Sequence, residues 1–179
     1  MAIKGRVLLL IAALLMLSLS KTDAMRMKTR KTNIQFYMHD VVEGNNPTAV
    51  RVARPHNFTR ADQVGAMYGS VYVMDNPLTV NPNPNSTVVG RAQGIYVMSS
   101  QQNEFSLHMT LTIGFVTGPY NGSTLSVVGR NPITNEVREI PVVGGTGVFR
   151  LARGYCLAST HSFERMDAII GYNVTVIHY

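Results

Sequence analysis

The sequence predicts a single all-β domain, built as an antiparallel barrel or sandwich. Segments rich in β-branched and aromatic residues recur at short and regular spacing, and the first of them, residues 34–42, opens with alternating apolar and polar side chains. The stretches between these segments hold most of the Gly, Pro and Asn residues, which are typical of turns. No part of the chain after the N-terminal region shows a helical stripe of apolar residues over three turns. With 179 residues, the chain is long enough for one domain with a sizeable core and too short to expect two.

Nine β-rich segments follow one another along the chain. Some are apolar on both faces, as in 71–73 and 110–115. One face would fill the interior and the other must also be covered, so we expect the protein to form an oligomer. The glycine-rich stretch 144–147 lacks the Lys-Ser/Thr of a phosphate-binding loop, and its glycines are expected to form a tight strand connection with positive φ. The nine predicted strands are residues 34–42, 49–53, 68–74, 87–98, 105–115, 124–128, 137–143, 149–159 and 168–178.

The N-terminal region is expected to be a secretory signal. Two basic residues precede an apolar run at 7–17, and small residues follow it, which is the three-part pattern of a signal peptide. The apolar run is too short for a comfortable membrane span. We expect the signal to be residues 1–20, with cleavage as late as residue 24 as one alternative and an uncleaved anchor as another. A basic linker at 21–32 and a folded domain at 33–179 would follow.

Four N-glycosylation acceptor sequences agree with secretion to the outside of the cell. Those at Asn85 and Asn121 lie in turn-rich sequence and are the favoured sites. Asn173 lies inside a predicted strand, where modification is less expected. The fourth acceptor is Asn57.

The composition argues against several classes of function. The formal net charge of +6 arises from the first 31 residues, and the remainder of the chain has equal numbers of basic and acidic groups. A domain without excess positive charge is not suited to nucleic-acid phosphates. The histidines are scattered without the spacing of metal ligands, and no cofactor motif is present, so neither a metal nor a cofactor is predicted. Cys156 is the single cysteine; we expect a buried apolar side chain there rather than a nucleophile or an intermolecular bridge.

Isolated charged residues interrupt the apolar strands. Asp40 follows residues 36–39 in the first strand, Arg138 lies at the start of the segment 137–143, and Arg150 and Arg153 lie in the eighth strand. Such a group either faces water or is buried with partners, because an unpaired buried ion is strongly unfavourable. If Asp40 and an arginine share a barrel interior with Tyr96, they form an acid–base group and an oxygen clamp in a cavity of aromatic size.

Six sequence segments carry a resemblance to a known family. In order, they read FYMHD at 36–40, GRAQGIY at 90–96, VGRNP at 128–132, REIPVVGGTG at 138–147, FRLARGY at 149–155 and YNVTVIHY at 172–179. Together these segments, which span residue 33 to the end of the chain, closely resemble plant dirigent proteins. The resemblance implies an eight-stranded antiparallel β-barrel, a homotrimer, secretion to the cell wall space and N-glycosylation. It also implies a pocket in each barrel for phenolic intermediates.

The resemblance also implies roles for individual residues. Asp40 matches the pocket aspartate of the family, the expected general acid or base, and Arg138 matches the arginine that holds a phenolic or quinone-methide oxygen. Tyr96 matches an aromatic residue that hydrogen-bonds to a ring substituent or stacks on a ring. Arg153 and Thr160 are further candidates for substrate contact.

Asn131 is a departure from part of the family and a candidate for substrate contact. Family members that form pinoresinol have a second aspartate at this position. An amide cannot exchange a proton at neutral pH, which argues against a cyclisation that needs two carboxylates. In this respect the chain resembles the disease-response and pterocarpan-synthase-like branch.

Three functions are compatible with this resemblance. In the first, which the sequence favours, the barrel orients phenoxy radicals that a separate laccase or peroxidase generates from monolignols, so that coupling is stereoselective. In the second, the protein is a lyase-like enzyme that dehydrates an isoflavanol through a quinone methide, with Asp40 as the catalyst. In the third, it is a cell-wall binder of carbohydrate, and substitutions of Asp40 or Arg138 leave that binding intact.

Overall fold

The computed structural model describes residues 28–54, 63–101 and 103–179. The predicted signal peptide and most of the linker, as well as the acceptor at Asn57, lie outside these described residues. The strands are β1 (Arg30–Asp40), β2 (Ala49–Ala53), β3 (Val71–Thr79), β4 (Val88–Met98), β5 (Ser106–Phe115), β6 (Thr124–Pro132), β7 (Arg138–Thr146), β8 (Arg153–Glu164) and β9 (Asp167–His178), with a short helix α1 (Gln63–Met67) before β3.

The sheet is closed by a pairing between its first and third strands. The strand order is β1-β9-β8-β7-β6-β5-β4-β3-β2, and all neighbours are antiparallel. Tyr37 and Met38 of β1 pair with Thr79 and Leu78 at the end of β3, whereas β2 pairs with the first half of β3. The barrel wall is therefore made of eight strands, β1 and β3 to β9, with β2 alongside. This confirms the predicted eight-stranded antiparallel barrel and excludes the sandwich.

The glycine-rich stretch differs from the expectation. Gly144 and Gly145 lie inside β7, and only Gly147 has a positive φ, +61°. A Cβ on Gly145 would lie 2.5 Å from the carbonyl oxygen of Thr124 and 2.8 Å from the Cβ of Phe149. Gly145 is therefore required for close approach of neighbouring backbone rather than for a turn. The turn comes later, as a 3-10 helix at Gly147–Phe149, where the sequence had predicted the start of the eighth strand.

Aromatic side chains fill one end of the barrel. Phe115, Tyr120 and Phe149 pack together with ring centroids 5.0 to 5.7 Å apart, and His178 contacts Phe149 edge-on at 5.2 Å. Cys156 points into the interior further along and is fully buried. Burial raises the pKa of its thiol to about 12. The expectation of a buried side chain at this position is confirmed.

The outside of the barrel carries an apolar stripe. Val50, Val73 and Ile95 lie side by side on β2, β3 and β4, and their exposed fractions are 47%, 43% and 39%. We call these three residues the outer stripe. Neighbouring apolar side chains exposed in this way favour contact with another surface.

Within the described ranges, no helix has the length and apolar character needed to cross a membrane.

Candidate functional site

The end of the barrel opposite the aromatic cluster encloses a cavity of about 580 Å³. This volume lies in the range of sites for small organic molecules. Most of the lining is apolar, with many methionine and aromatic side chains, and only a few polar groups face inward. Among the residues that the sequence singled out, those that line the cavity are Asp40, Tyr96, Asn131, Arg138 and Thr160.

Among the described residues, two acidic ones line the cavity, and of these Asp40 lies in the wall, whereas Glu136 is exposed. Asp40 is the last residue of β1, on the face that also turns Met38 into the cavity, while its neighbour His39 points to the other face and hydrogen-bonds with Thr79. Burial raises the pKa of the Asp40 carboxyl. Hydrogen bonds from Asn76, at 3.0 Å, and from Tyr96 oppose that rise without cancelling it. The carboxyl therefore keeps its proton to a higher pH than an exposed aspartate does.

Two stacked tyrosines form the wall beside Asp40. Tyr72 of β3 and Tyr96 of β4 are direct partners in the sheet, and their rings stack at 4.8 Å with an interplanar angle of 14°. Burial, and next the nearby carboxylate of Asp40, raises the pKa of Tyr96. The phenol of Tyr96 thus stays protonated and can donate a hydrogen bond, and the paired rings offer an aromatic surface to a planar ligand.

Arg138 supplies a buried positive charge. It begins β7, is only 3% exposed, donates from Nε to Oδ1 of Asn131 at 3.2 Å, and donates from Nη1 to the carbonyl oxygen of Asn135 at 3.4 Å. Burial lowers the pKa of Arg138, although a guanidinium remains charged in proteins. Of the ion pairs formed within the described ranges, none involves Arg138. A buried guanidinium that has only neutral protein acceptors is suited to an oxygen of a ligand that gains negative charge.

Asn131 holds Arg138 in place from the neighbouring strand. It is buried near the end of β6, and its Nδ2 lies 3.0 Å from the sulfur of Met109. Its amide oxygen is therefore turned toward the guanidinium. Asn131 therefore contributes an acceptor to Arg138 and no exchangeable proton.

Thr160 and Arg153 have different positions along β8. Thr160 lines the outer part of the cavity opposite Ile170 of β9. Arg153 does not reach the cavity: it begins β8, its side chain is exposed, and its Nη1 donates to the carbonyl oxygen of Ala152 at 2.9 Å. Along β8 the even-numbered residues, such as Cys156, point into the barrel, so the odd-numbered Arg153 points outward. Arg153 also lies at the end of the barrel away from the cavity.

Several residues in the lining or directly beside it were not singled out from the sequence. Asn76 contacts Asp40, Tyr72 stacks on Tyr96, and Tyr172 packs within the lining. Asn76 carried a usable signal, since it is a polar residue with the same inward parity as Tyr72 and Met74 in β3. The helix α1 contributes Met67, which no periodicity in the sequence indicated.

The described part of the chain contains no cluster of three or more His, Cys, Asp or Glu side chains placed to hold a metal ion.

The glycosylation acceptors Asn85, Asn121 and Asn173 are all exposed. Asn173 projects from β9, whereas the other two lie outside the regular strands.

Comparison with known proteins identifies the family. The family described as "Dirigent-like protein" matches residues 31–177. The chain is 47% identical to Dirigent protein 23 of Arabidopsis thaliana, over 84% of this chain and 80% of that protein. It is 48% identical to Pterocarpan synthase 1 of Glycine max, over 83% of this chain and 79% of that protein. A solved pterocarpan synthase dirigent protein superimposes with a TM-score of 0.78 at 45% identity, covering 86% of this chain and 87% of that structure. This match in sequence, over nearly all of the barrel, and in fold shows that the chain belongs to the dirigent family.

Proposed function

We propose that this chain dehydrates a phenolic benzylic alcohol of the isoflavanol class through a quinone methide and directs the ring closure that follows. One observation carries the proposal. A carboxyl with a raised pKa, Asp40, shares an apolar cavity with a buried guanidinium, Arg138, that has no carboxylate partner among the described residues. A proton donor and a clamp for a developing oxygen anion are the two groups that loss of such a hydroxyl requires.

In the first step, protonated Asp40 donates its proton to the benzylic hydroxyl. The carbon–oxygen bond breaks and water leaves. Electron density from the phenolic oxygen, which loses its proton to solvent, forms the quinone methide. Hydrogen bonds from Arg138 stabilise that oxygen while its charge changes.

In the second step, a hydroxyl on the second ring of the substrate adds to the methide carbon, and the carboxylate of Asp40 takes up its proton. The quinone oxygen regains a proton from solvent as the ring becomes aromatic again. The net change is the loss of one water, and Asp40 returns to its starting state. The stacked Tyr72 and Tyr96 fix the plane of the substrate, so that one face of the methide carbon is attacked.

Stereoselective radical coupling is the second candidate function. It is favoured by the mostly apolar lining and by a volume of about 580 Å³, which suits more than one aromatic ring. A separate laccase or peroxidase would supply the phenoxy radicals, and the cavity would orient two of them. A preference of about 1.4 kcal/mol between two orientations gives tenfold selectivity. The similarity to Dirigent protein 23 supports this candidate as much as the similarity to pterocarpan synthases supports the first.

Incubation of the purified chain with isoflavanols and monolignols, each with and without laccase, separates the two candidates. Chiral chromatography is expected to show one enantiomer of a dehydrated isoflavanol without laccase, lost in Asp40→Asn and kept in Arg153→Gln, whose side chain lies outside the cavity. Enriched dimers of monolignols that appear only with laccase would instead establish radical coupling. Racemic products or no products across the whole panel would overturn both.

We further propose that the chain is a secreted glycoprotein of the cell wall space and forms a homotrimer. The signal-like first 20 residues, the exposed acceptors Asn85 and Asn121, and the outer stripe support this. Production in a plant secretory system, followed by glycosidase treatment with mass spectrometry and by analytical ultracentrifugation, tests both. An unglycosylated or monomeric product would contradict the corresponding part.

A further inference from the structure

We propose that Asn76 is the positioning residue of Asp40, and that its amide holds the acid in both protonation states by presenting either its N–H or its C=O. The inference rests on the proposed function in one respect, because it takes Asp40 to be the group that exchanges the proton.

The geometry places Asn76 directly behind Asp40. Asn76 lies on β3 with its side chain turned inward, and its exposed fraction is 0%. Its Nδ2 donates to Oδ1 of Asp40 at 3.0 Å, and the sulfur of Met74 is 4.0 Å from the same nitrogen. Its own Oδ1 is buried and has no hydrogen-bond partner among the described residues. The neighbouring Asp75 projects to the opposite face, where it pairs with Arg91.

The unused acceptor is the informative feature. A buried amide oxygen without a donor is unfavourable, and such groups are few in folded proteins. An ionised carboxylate accepts hydrogen bonds only, whereas a carboxylic acid also has an O–H to donate. Rotation of the amide by half a turn exchanges the positions of its oxygen and nitrogen. Asn76 can therefore donate to the carboxylate and accept from the acid without any other movement of the wall.

The ionised form gains more from this contact than the neutral form. Hydrogen bonds to charged groups are the stronger ones, and the bond from Asn76 opposes the rise in the pKa of Asp40 caused by burial. The other titratable or charged groups that face Asp40 or line the same cavity are Tyr72, Tyr96, Asp167, Tyr172, Arg138, Arg165 and Glu136. Of these groups, Tyr96 also donates a hydrogen bond to Asp40, and that bond is kept when the amide of Asn76 is removed. Removal of the amide should therefore change the titration of Asp40 by the contribution of Asn76 alone.

The test follows the side-chain carboxyl carbon of Asp40 by NMR as the pH is raised, with Asp40→Asn used to assign the signal. Asn76→Leu removes the amide at nearly constant volume, and we expect the affinity of Asp40 for its proton to increase by about tenfold. Thr79→Val is the matched control, since it removes a buried polar group from the same strand that hydrogen-bonds to His39 and not to Asp40. An Asp40 titration in Asn76→Leu that equals that of the wild type would overturn the inference.

A second variant tests the same contact from the other direction. Asn76→Asp places a second carboxyl against Asp40, and ionisation of one carboxyl then disfavours ionisation of the other. We expect the pair to share one proton near neutral pH and to titrate in two separated steps. Two independent titrations at ordinary values would contradict the inference.

These readouts separate the inference from the proposed function. If the titration changes as expected but the wild type converts no substrate, the positioning role stands and the dehydration proposal fails. If the wild type is active and the titration of Asp40 is unaffected by both variants, the proposed function stands and the role of Asn76 fails.

Discussion

The polar pair of Arg138 and Asn131 should reduce the stability of the barrel, because burial of a guanidinium costs more free energy than its neutral acceptors return. Three variants test this: Arg138→Met, Asn131→Leu and the double substitution. Each replaces a polar side chain by an apolar one that can pack against the mostly apolar lining, so cavity formation is kept small. The three variants together form a double-mutant cycle.

The expected changes follow from the contacts. Asn131→Leu leaves the guanidinium without its side-chain acceptor, and the free energy of unfolding should fall by about 1.5–3 kcal/mol. Arg138→Met removes the buried charge, which should stabilise the fold, but it leaves the buried oxygen of Asn131 without a donor, which should destabilise the fold by about 1–3 kcal/mol. The net change in the free energy of unfolding should therefore be close to zero. The double variant removes both partners and should be more stable than the wild type by about 1–4 kcal/mol.

Urea denaturation followed by far-ultraviolet circular dichroism measures these differences, provided that the denaturant dependence is the same in all four proteins. In a domain of this size each kcal/mol corresponds to roughly 2–4 °C in the melting temperature. All three variants should lose product formation and selectivity. A double variant that is less stable than the wild type by 3 kcal/mol or more would show that the pair holds the fold together, and the reasoning would be refuted.

Three further predictions concern other parts of the barrel. The pKa of Asp40 is raised in the folded state, so the unfolded chain loses this proton first and the stability of the wild type falls as the pH rises from the ordinary value of 3.8 through the raised one. In thermal melts, Asp40→Asn should therefore be about as stable as the wild type at pH 3 and more stable than the wild type at pH 7. Its turnover should fall by about 10²–10⁴-fold. Melting temperatures of variant and wild type that are equal at both pH values would contradict the buried carboxyl. Gly154→Ala places a Cβ 2.0 Å from the carbonyl oxygen of Thr175 on β9 and should destabilise the barrel by about 1–3 kcal/mol or more in the same assay. Its control, Gly114→Ala, has no heavy atom nearer than 4.0 Å and should change stability by less than about 1 kcal/mol; a similar loss in both variants would show that strand glycine itself, and not the contact, is required. Cys156 should react with a thiol reagent only after unfolding, because burial raises its pKa to about 12, and rapid labelling of the native protein would refute this.

The strand pattern was predictable because it depends on local sequence. Alternation and turn residues located the strands of the barrel wall, and they also placed Asp40 on the face opposite His39. The same parity argument, continued along β8, would have excluded Arg153 from the cavity and, along β3, would have placed Asn76 on the inward face. Composition alone identifies β3 and β8 as strands, whereas the face on which Asn76 or Arg153 lies depends on the alternation along each strand.

Other features could not be predicted because they depend on contacts between distant segments. Gly145 is fixed by the approach of Thr124 from the neighbouring strand, which no local turn rule describes. Among the described residues, Arg138 is buried without a carboxylate partner, which contradicts the usual rule for isolated charges. Only the closed barrel shows that a cavity of ligand size lies beside it. Sites that bind ligands are where such exceptions are expected.

The pH dependence of turnover without oxidant tests the central claim most directly. The ratio kcat/KM for the proposed dehydration of an isoflavanol should be constant at low pH, and should fall about tenfold per pH unit once Asp40 loses its proton, above the ordinary range of an aspartate. Asp40→Asn should lack this dependence as well as the activity. A rate that rises with pH, or a wild-type profile that Asp40→Asn reproduces, would contradict a buried acid as the source of the chemistry.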